Sequence, residues 1–169
     1  MLNFGILTIS DKGSRGQRYD ESGMTIRERI SLLDSHVVKY GIVPDEMNII
    51  TSKLTEWADE GGVDVILTTG GTGLGPRDIT PEATLGAVDR VVPGLPEAMR
   101  AETFKKTPFA ILSRAVAGIR GKCLIINLPG STKAVRECLE VILPVIPHAV
   151  DIIQGKVTEH SQEPGKEPG

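Results

Sequence analysis

Two aspartates, Asp45 and Asp78, and a run of glycines are the residues of this chain best suited to chemistry. In VDVILTTGGTGLGPRDITPEA, residues 63–83, the glycine-rich run Thr69–Gly73 follows a short apolar stretch, and Asp78 lies just beyond it. Glycines have no Cβ, so successive backbone N–H groups can gather around an anion. A carboxylate such as Asp78 is a typical Mg²⁺ ligand beside substrate phosphates. The pattern therefore predicts a phosphate site next to a magnesium ligand.

Each of these features also has a simpler explanation. Thr69–Gly73 can be an ordinary tight turn, since it has neither the Gly-Lys-Ser/Thr ending of a Walker A loop nor the dinucleotide G-x-G-x-x-G spacing. Asp78 can form an Asx-turn ahead of Thr80, which is itself a good helix cap. Asp45, which follows Pro44, can cap a helix as well as serve a site. The position of the glycines after an apolar, β-branched run favours phosphate binding over a plain turn.

Two polar pairs elsewhere allow similar alternatives. Ser10 and Asp11 end the apolar run Phe4–Ile9 and can be simple turn formers. Ser113 and Arg114 follow another apolar run. The guanidinium can be an ordinary surface charge, or it can clamp a phosphate through two parallel hydrogen bonds.

The segment NLPGS, Asn127–Ser131, closes an apolar run and opens a helical pattern. One interpretation is a strand-to-helix turn in which Ser131 caps the helix. The other is a second anion pocket at the helix N-terminus, aided by Lys133. These residues alone favour neither interpretation.

Strand-like and helical patterns alternate along the chain. The predicted strands are Phe4–Ile9, His36–Val43 nearer a sheet edge, Val63–Thr69, and an antiparallel hairpin of Val116–Ile119 and Lys122–Asn127. The predicted helices run from near Ser22 to Leu33, from a cap at Asp45 through Trp57, over Pro81–Asp89 and Leu95–Phe104, and from Ser131 to about Gln154 with breaks at Pro144 and Pro147. This alternation predicts a three-layer α/β domain with a mostly parallel sheet, whose ligands bind at the carboxyl ends of the strands. We expect four segments to converge there: Ser10-Asp11, Pro44-Asp45, the Gly70 loop and Asn127–Ser131.

Composition narrows the classes of function. The 169 residues suit a single domain, predicted over 1–155, with a disordered Pro- and Gly-rich tail over 156–169. A net charge of −3 and an aromatic content of 4% argue against nucleic-acid and anionic-membrane partners. Without a signal pattern or a membrane-length apolar run, we expect a cytoplasmic protein. Cys123 and Cys138 lack metal-ligand spacing and are expected to be buried thiols.

Longer stretches around these residues resemble a known family. They are LTTGGTGLGPRDITPEAT, PGLPEAMR, AILSRAVAGIRGKCLIINLPGSTKAVRECL and ILPVIPHAVDII, with GILTISDKGSRG and VPDE before them. They resemble the molybdopterin adenylyltransferases of the MogA type, related to the gephyrin G domain, from Phe4 to about Ile153. The resemblance implies a three-layer α/β/α fold with a mixed, mainly parallel sheet, and a homotrimer. It also implies Mg²⁺-dependent transfer of AMP from ATP to the terminal phosphate of molybdopterin, with release of pyrophosphate.

The resemblance assigns residues as well. Asp45 and Asp78 match the two functional aspartates of the family and would act as catalytic and metal-binding residues. The nucleotide and phosphate pocket would be lined by Thr69, Gly70, Gly71, Thr72 and Gly73. The residues that would bind molybdopterin are Ser10, Asp11, Ser113, Arg114, Asn127, Pro129, Gly130 and Ser131. Arg114 or Lys133 would stabilise charge on the transferring phosphorus, and a molybdenum insertase would receive the product.

Three other functions stay open at this point. A paralogue of the family could bind molybdopterin or nucleotide and adenylylate poorly, and a scaffold could use trimerisation structurally. A nucleotide hydrolase of the CinA type is the third, because GGTGLGPRD resembles that family too. The segments NLPGS and ILPVIPHAVDII fit the adenylyltransferases better.

Overall fold

A computed structural model describes residues 1–157 of the chain. Its single six-stranded sheet has the order β2-β1-β3-β6-β5-β4. The strands are β1 (Leu2–Ile9), β2 (Ser35–Val43), β3 (Val65–Thr69), β4 (Arg90–Val91), β5 (Ala117–Arg120) and β6 (Cys123–Leu128). Neighbouring strands from β2 to β6 are parallel, whereas β6, β5 and β4 pair antiparallel. The mixed, mostly parallel sheet, the edge position of β2 and the β5–β6 hairpin were all predicted and are confirmed.

Helices cover both faces of this sheet. They are α1 (Asp11–Ser14), α2 (Glu21–Ile30), α3 (Met47–Asp59), α4 (Thr80–Ala87), α5 (Gly94–Phe104), α6 (Thr132–Ile142) and α7 (Ile146–Ile153), with 3₁₀ helices at Pro108–Leu112 and Leu143–Val145. Side chains alternate between the faces along each strand. In β1, for example, Phe4 and Ile6 join a core with α2, α5, α6 and α7, while Leu7 and Ile9 join a second core with α3 and α4. The two cores confirm the three-layer fold.

Several local predictions are corrected. Asp45 does not cap a helix, because α3 begins at Met47 and the carboxylate of Asp45 accepts the backbone N–H of Asp11. Thr80 lies inside the first turn of α4 and holds the glycine loop instead of capping. Ser10 is not a simple turn former, because its side chain caps the short helix α1. β4 was not predicted, and residues 158–169 of the predicted tail lie outside the described residues.

Candidate functional site

A cavity of about 690 Å³ opens at the carboxyl edge of the parallel strands. Its walls come from the ends of β1 and β3 and from the segments that follow β2 and β6. In the sheet, β1 lies between β2 and β3, so the chain leaves β1 toward one side and returns to its other side. A crevice forms at the carboxyl ends of the strands where the strand order reverses in this way. The volume suits a small-molecule site. The convergence of the four predicted segments is therefore confirmed.

The predicted site residues divide into two groups. Those that line the cavity are Ser10, Asp45, Thr69, Gly70, Gly71, Asp78, Gly130 and Ser131. Those outside its lining are Asp11, Thr72, Gly73, Ser113, Arg114, Asn127 and Pro129. Lys133 is also outside it. Three residues of the second group hold lining residues directly: Asp11 contacts Asp45, Arg114 contacts Asp78, and Pro129 accepts a hydrogen bond from Thr69.

The glycine loop after β3 is fixed in a conformation that requires glycine. Gly70 and Gly71 have φ values of +98° and +70°. A Cβ on Gly70 would lie 2.3 Å from the carbonyl oxygen of Ile9, and one on Gly71 would lie 2.2 Å from Oγ1 of Thr80. Oγ1 of Thr80 donates to the carbonyl oxygen of Gly70 at 2.9 Å. The Gly71 N–H has no acceptor among the described residues, so it is available to an anion in the cavity.

Asp45 is held by a reciprocal pair of hydrogen bonds. The backbone N–H of Asp11 donates to Oδ2 of Asp45 at 2.9 Å, and the N–H of Asp45 donates to Oδ1 of Asp11 at 3.0 Å. Arg77 clamps Asp11 through Nε at 2.7 Å and Nη2 at 3.0 Å, and also donates to the Asp45 carbonyl at 3.1 Å. Asp11 is thus engaged within the protein. Because Arg77 and Asp78 are adjacent, this network joins the segments that carry Asp45 and Asp78.

The two candidate metal ligands share one electrostatic environment. Burial raises the pKa of Asp45, and the negative charges of Asp11 and Asp78 raise it further, against the backbone hydrogen bond from Asp11 and the charge of Arg77. Asp78 accepts the N–H of Gly75 on Oδ2 at 2.9 Å. Two carboxylates around one polar cavity repel each other, and a divalent cation relieves that repulsion. No group of three or more potential metal-binding side chains occurs within residues 1–157. Two carboxylates with substrate phosphates nevertheless fit Mg²⁺.

Arg114 braces the glycine loop from outside the cavity lining. Its Nε donates to the carbonyl of Gly73 at 2.8 Å and its Nη2 to the carbonyl of Asp78 at 2.5 Å. Its Nη1 binds Glu82, and this hydrogen bond lowers the pKa of that carboxyl group. The guanidinium is thus occupied by protein acceptors. A phosphate contact by Arg114 stays a prediction, and its observed contacts position Asp78.

Asn127 is fully buried, and its amide group is bound entirely by protein. Nδ2 donates to the hydroxyl groups of Thr68 at 3.0 Å and Thr84 at 2.9 Å, and Oδ1 accepts the N–H of Val116 at 3.2 Å. The structure therefore does not bring this side chain to the cavity. It ties β3, β6 and α4 together below the site.

The NLPGS segment forms the part of the wall next to the end of β3, because β6 and β3 are neighbouring strands. Ser131 caps α6, as predicted, by accepting the N–H of Ala134 at 3.2 Å. Thr69 donates to the carbonyl of Pro129 at 2.6 Å, and Ser22 at the start of α2 donates to the carbonyl of Gly130 at 2.5 Å. Ser131 and Thr132 line the cavity, so the N-terminus of α6 lies on it.

Sequence reasoning missed the contribution of residues 18–22. Arg18, Tyr19 and Asp20 line the cavity beside the start of α2. Asp20 caps α2 by accepting the N–H of Gly23 at 3.0 Å. It also accepts hydrogen bonds from Thr8 at 2.8 Å and from Tyr40. The cap signal of an aspartate ahead of a helical pattern could have located Asp20, whereas nothing in the sequence indicated that Arg18 and Tyr19 face the cavity.

Comparison with known proteins agrees with this geometry. The family model "Probable molybdopterin binding domain" matches residues 5–148. A molybdopterin adenylyltransferase of Helicobacter pylori strain J99 is 46% identical over 164 residues, which are 96% of this chain and 93% of that protein. The crystal structure of the molybdopterin biosynthesis enzyme MoaB from Thermus thermophilus superposes with a TM-score of 0.87 at 54% identity, covering 94% of this chain and all of that one.

A CinA protein of Thermoplasma acidophilum, described as having unknown function, is a more distant match. It has a TM-score of 0.66 at 18% identity and covers 85% of this chain and 97% of that one. At this identity the likeness shows a shared fold alone. It adds no support to the hydrolase alternative.

Proposed function

This chain belongs to the molybdopterin-binding domain family, and from that premise we propose how its cavity works as the active site of a molybdopterin adenylyltransferase. The protein acts in molybdenum cofactor biosynthesis and adenylylates molybdopterin. ATP is the proposed adenylyl donor and Mg²⁺ the proposed metal ion. An oxygen of the molybdopterin phosphate attacks the α-phosphorus of ATP, the bond from that phosphorus to the bridging oxygen breaks, and pyrophosphate leaves.

The observation that carries the site assignment is the meeting of Asp45, Asp78 and the Gly71 N–H in one cavity. Carboxylates repel phosphates. Two carboxylates beside an unpaired backbone N–H therefore fit a phosphate site in which a cation binds between the protein and the substrate. Asp45 and Asp78 would hold that Mg²⁺. When bound, the ion neutralises charge on the phosphates of ATP.

The remaining work of the chain is positioning. The Gly71 N–H and the N-terminus of α6, capped by Ser131, offer partial positive charge to phosphate groups without a flexible side chain. Arg114 binds the backbone carbonyl of Asp78, and the neighbouring Arg77 is bound to Asp11 and Asp45, so the Asp78 carboxylate needs little rearrangement during reaction. A phosphate nucleophile is already ionised at neutral pH, so no general base is required.

We further propose a homotrimer, supported by an exposed apolar area away from the cavity. Phe104, Phe109, Ile111 and Leu112 are 47 to 74% exposed, and Phe109 lines a second hollow of about 220 Å³ together with Met99. Exposed apolar clusters of this kind mark protein contacts. Transfer of the product to a molybdenum insertase stays a prediction. Within residues 1–157 no helix is long and apolar enough to cross a membrane, and the cytoplasmic location stays a prediction.

The experiment that tests this proposal measures pyrophosphate release from ATP and Mg²⁺, with and without molybdopterin, under anaerobic conditions. We expect release only when molybdopterin is present. Tight molybdopterin binding without release would replace the enzyme by a carrier or scaffold. Nucleotide hydrolysis at the same rate with and without molybdopterin would instead favour the CinA-like reaction.

A further inference from the structure

The cavity has an unusual balance of charge for a site that takes two anionic substrates. Four carboxylates line it: Asp20, Glu21, Asp45 and Asp78. Among its lining residues in the described part of the chain, Arg18 supplies the one cationic side chain. Backbone donors and a metal ion can serve the nucleotide, but a second phosphate also needs a positive partner. Arg18 is the side chain placed to provide it.

Arg18 also differs from the other arginines near the site, because its side chain has no partner among the described residues. Arg77 and Arg114 each make three hydrogen bonds to protein acceptors. Arg18 makes neither a hydrogen bond nor an ion pair with any residue in 1–157. An exposed guanidinium at the wall of a cavity is free to form a bidentate contact with a phosphate.

Tyr19 gives the same wall an aromatic face. Its side chain is 73% exposed although it borders the cavity. It is the sole aromatic residue in the cavity lining within the described range, since the other five are elsewhere: Phe4, Tyr40, Trp57, Phe104 and Phe109. A planar heterocycle stacks readily on an exposed tyrosine ring.

The segment that carries the pair is anchored to β1, to β2 and to the NLPGS segment. Asp20, the next residue, is fixed by hydrogen bonds from Thr8, Tyr40 and Gly23. Two residues further on, Ser22 binds the carbonyl of Gly130. Asp45, in contrast, is tied to Asp11 and Arg77. Arg18 and Tyr19 are therefore linked through Ser22 to the segment that precedes α6, and no hydrogen bond within residues 1–157 joins them to Asp45 or Asp78.

We propose that Arg18 and Tyr19 recognise the phosphorylated pterin substrate, with the tyrosine ring stacked on the pterin and the guanidinium bound to its terminal phosphate. This inference rests on the proposed function and assigns one substrate to one wall of the cavity. The segment before α2 then sets specificity for the acceptor, while the wall of Asp45 and Asp78 receives the nucleotide.

The test measures the Kd of each substrate separately by anaerobic titration calorimetry. One ligand is molybdopterin, and the other is a non-hydrolysable ATP analogue with Mg²⁺. The variants are Tyr19→Leu, Tyr19→Phe and Arg18→Gln. Lys12→Gln is the matched charge control, because Lys12 lies on the same segment but outside the cavity lining. Circular dichroism establishes that each variant is folded.

Tyr19→Leu should raise the Kd of molybdopterin about 5- to 150-fold, the range expected for loss of one ring stack. Tyr19→Phe should stay within about twofold of wild type, because stacking uses the ring and not the hydroxyl group. Arg18→Gln should weaken molybdopterin binding about tenfold and reduce its dependence on salt. The Kd of the ATP analogue and all values for Lys12→Gln should be unchanged.

Two results would overturn the assignment. If Tyr19→Leu weakens only the ATP analogue, the ring stacks on the purine and the walls are exchanged. If neither Kd changes in Tyr19→Leu and Arg18→Gln, the segment has no part in recognition. Failure of the proposed function would be a separate result. The wild type would then release no pyrophosphate, but the Kd values of both ligands could still be measured.

Discussion

Replacing Asn127 by alanine separates a structural role from a ligand contact. The family resemblance places Asn127 among the pterin-binding residues, whereas the structure buries it completely and satisfies its amide group with protein partners. We expect Asn127→Ala to lower the stability of the fold and to leave the intrinsic affinity of the folded protein for molybdopterin nearly unchanged.

The magnitude follows from the three hydrogen bonds that the substitution removes. Each contributes about 1 kcal/mol net, and the Val116 N–H is left without its acceptor. The loss in the free energy of unfolding is therefore about 3 kcal/mol. For a chain of this length, 1 kcal/mol corresponds to roughly 2–4 °C, so we expect Tm to fall by about 6–12 °C.

Thermal unfolding by circular dichroism at one fixed protein concentration checks this prediction, together with molybdopterin binding well below Tm. Asp78→Asn is the matched comparison, because its amide oxygen can still accept the Gly75 N–H. That variant should keep Tm within about 2 °C, as expected when a hydrogen bond is preserved, yet lose turnover. An unchanged Tm for Asn127→Ala with weakened molybdopterin binding would refute the argument and restore Asn127 as a direct ligand.

Three further predictions follow from other contacts. Gly70→Ala should destabilise the protein or abolish folding, because its Cβ would lie 2.3 Å from the carbonyl oxygen of Ile9 at a φ of +98°; a normal unfolding curve would contradict this. Arg114→Gln should lower kcat about tenfold or more through misplacement of the glycine loop, with a pH profile like that of wild type; unchanged kcat would remove its positioning role. Burial raises the pKa of the Cys123 thiol to about 12 and of the Cys138 thiol to about 11, so both should resist iodoacetamide at about pH 8 until the chain unfolds; rapid alkylation of the native protein would show otherwise.

The sheet could be predicted because its signals are local. Runs such as Val65–Thr69 and Cys123–Leu128 are short, apolar and bounded by glycine or proline. A short turn between Ala117–Arg120 and the next run predicted the hairpin. Strand β4 was missed because it has two residues, both exposed, and its pairing to β5 is long-range.

Side-chain partners were harder to predict because they depend on distant segments. Aspartate is a common helix-capping residue, but the carboxylate of Asp45 instead accepts the backbone N–H of Asp11, which belongs to another loop. Asn127 precedes a glycine turn, yet the alternation of β6 points it into the layer beneath the site. Arg18 and Tyr19 lie in a polar segment whose path is fixed by the Asp20 contacts with Thr8 and Tyr40.

The most direct test of the central claim is the mass of the product formed from molybdopterin, ATP and Mg²⁺. We predict that the wild type adds one adenylyl group to molybdopterin for each pyrophosphate released, and that Asp45→Asn and Asp78→Asn, although folded, form none. Adenylylated product at the wild-type rate in both variants would contradict the assignment of this cavity. The absence of that product from the wild-type reaction would contradict the proposed activity itself.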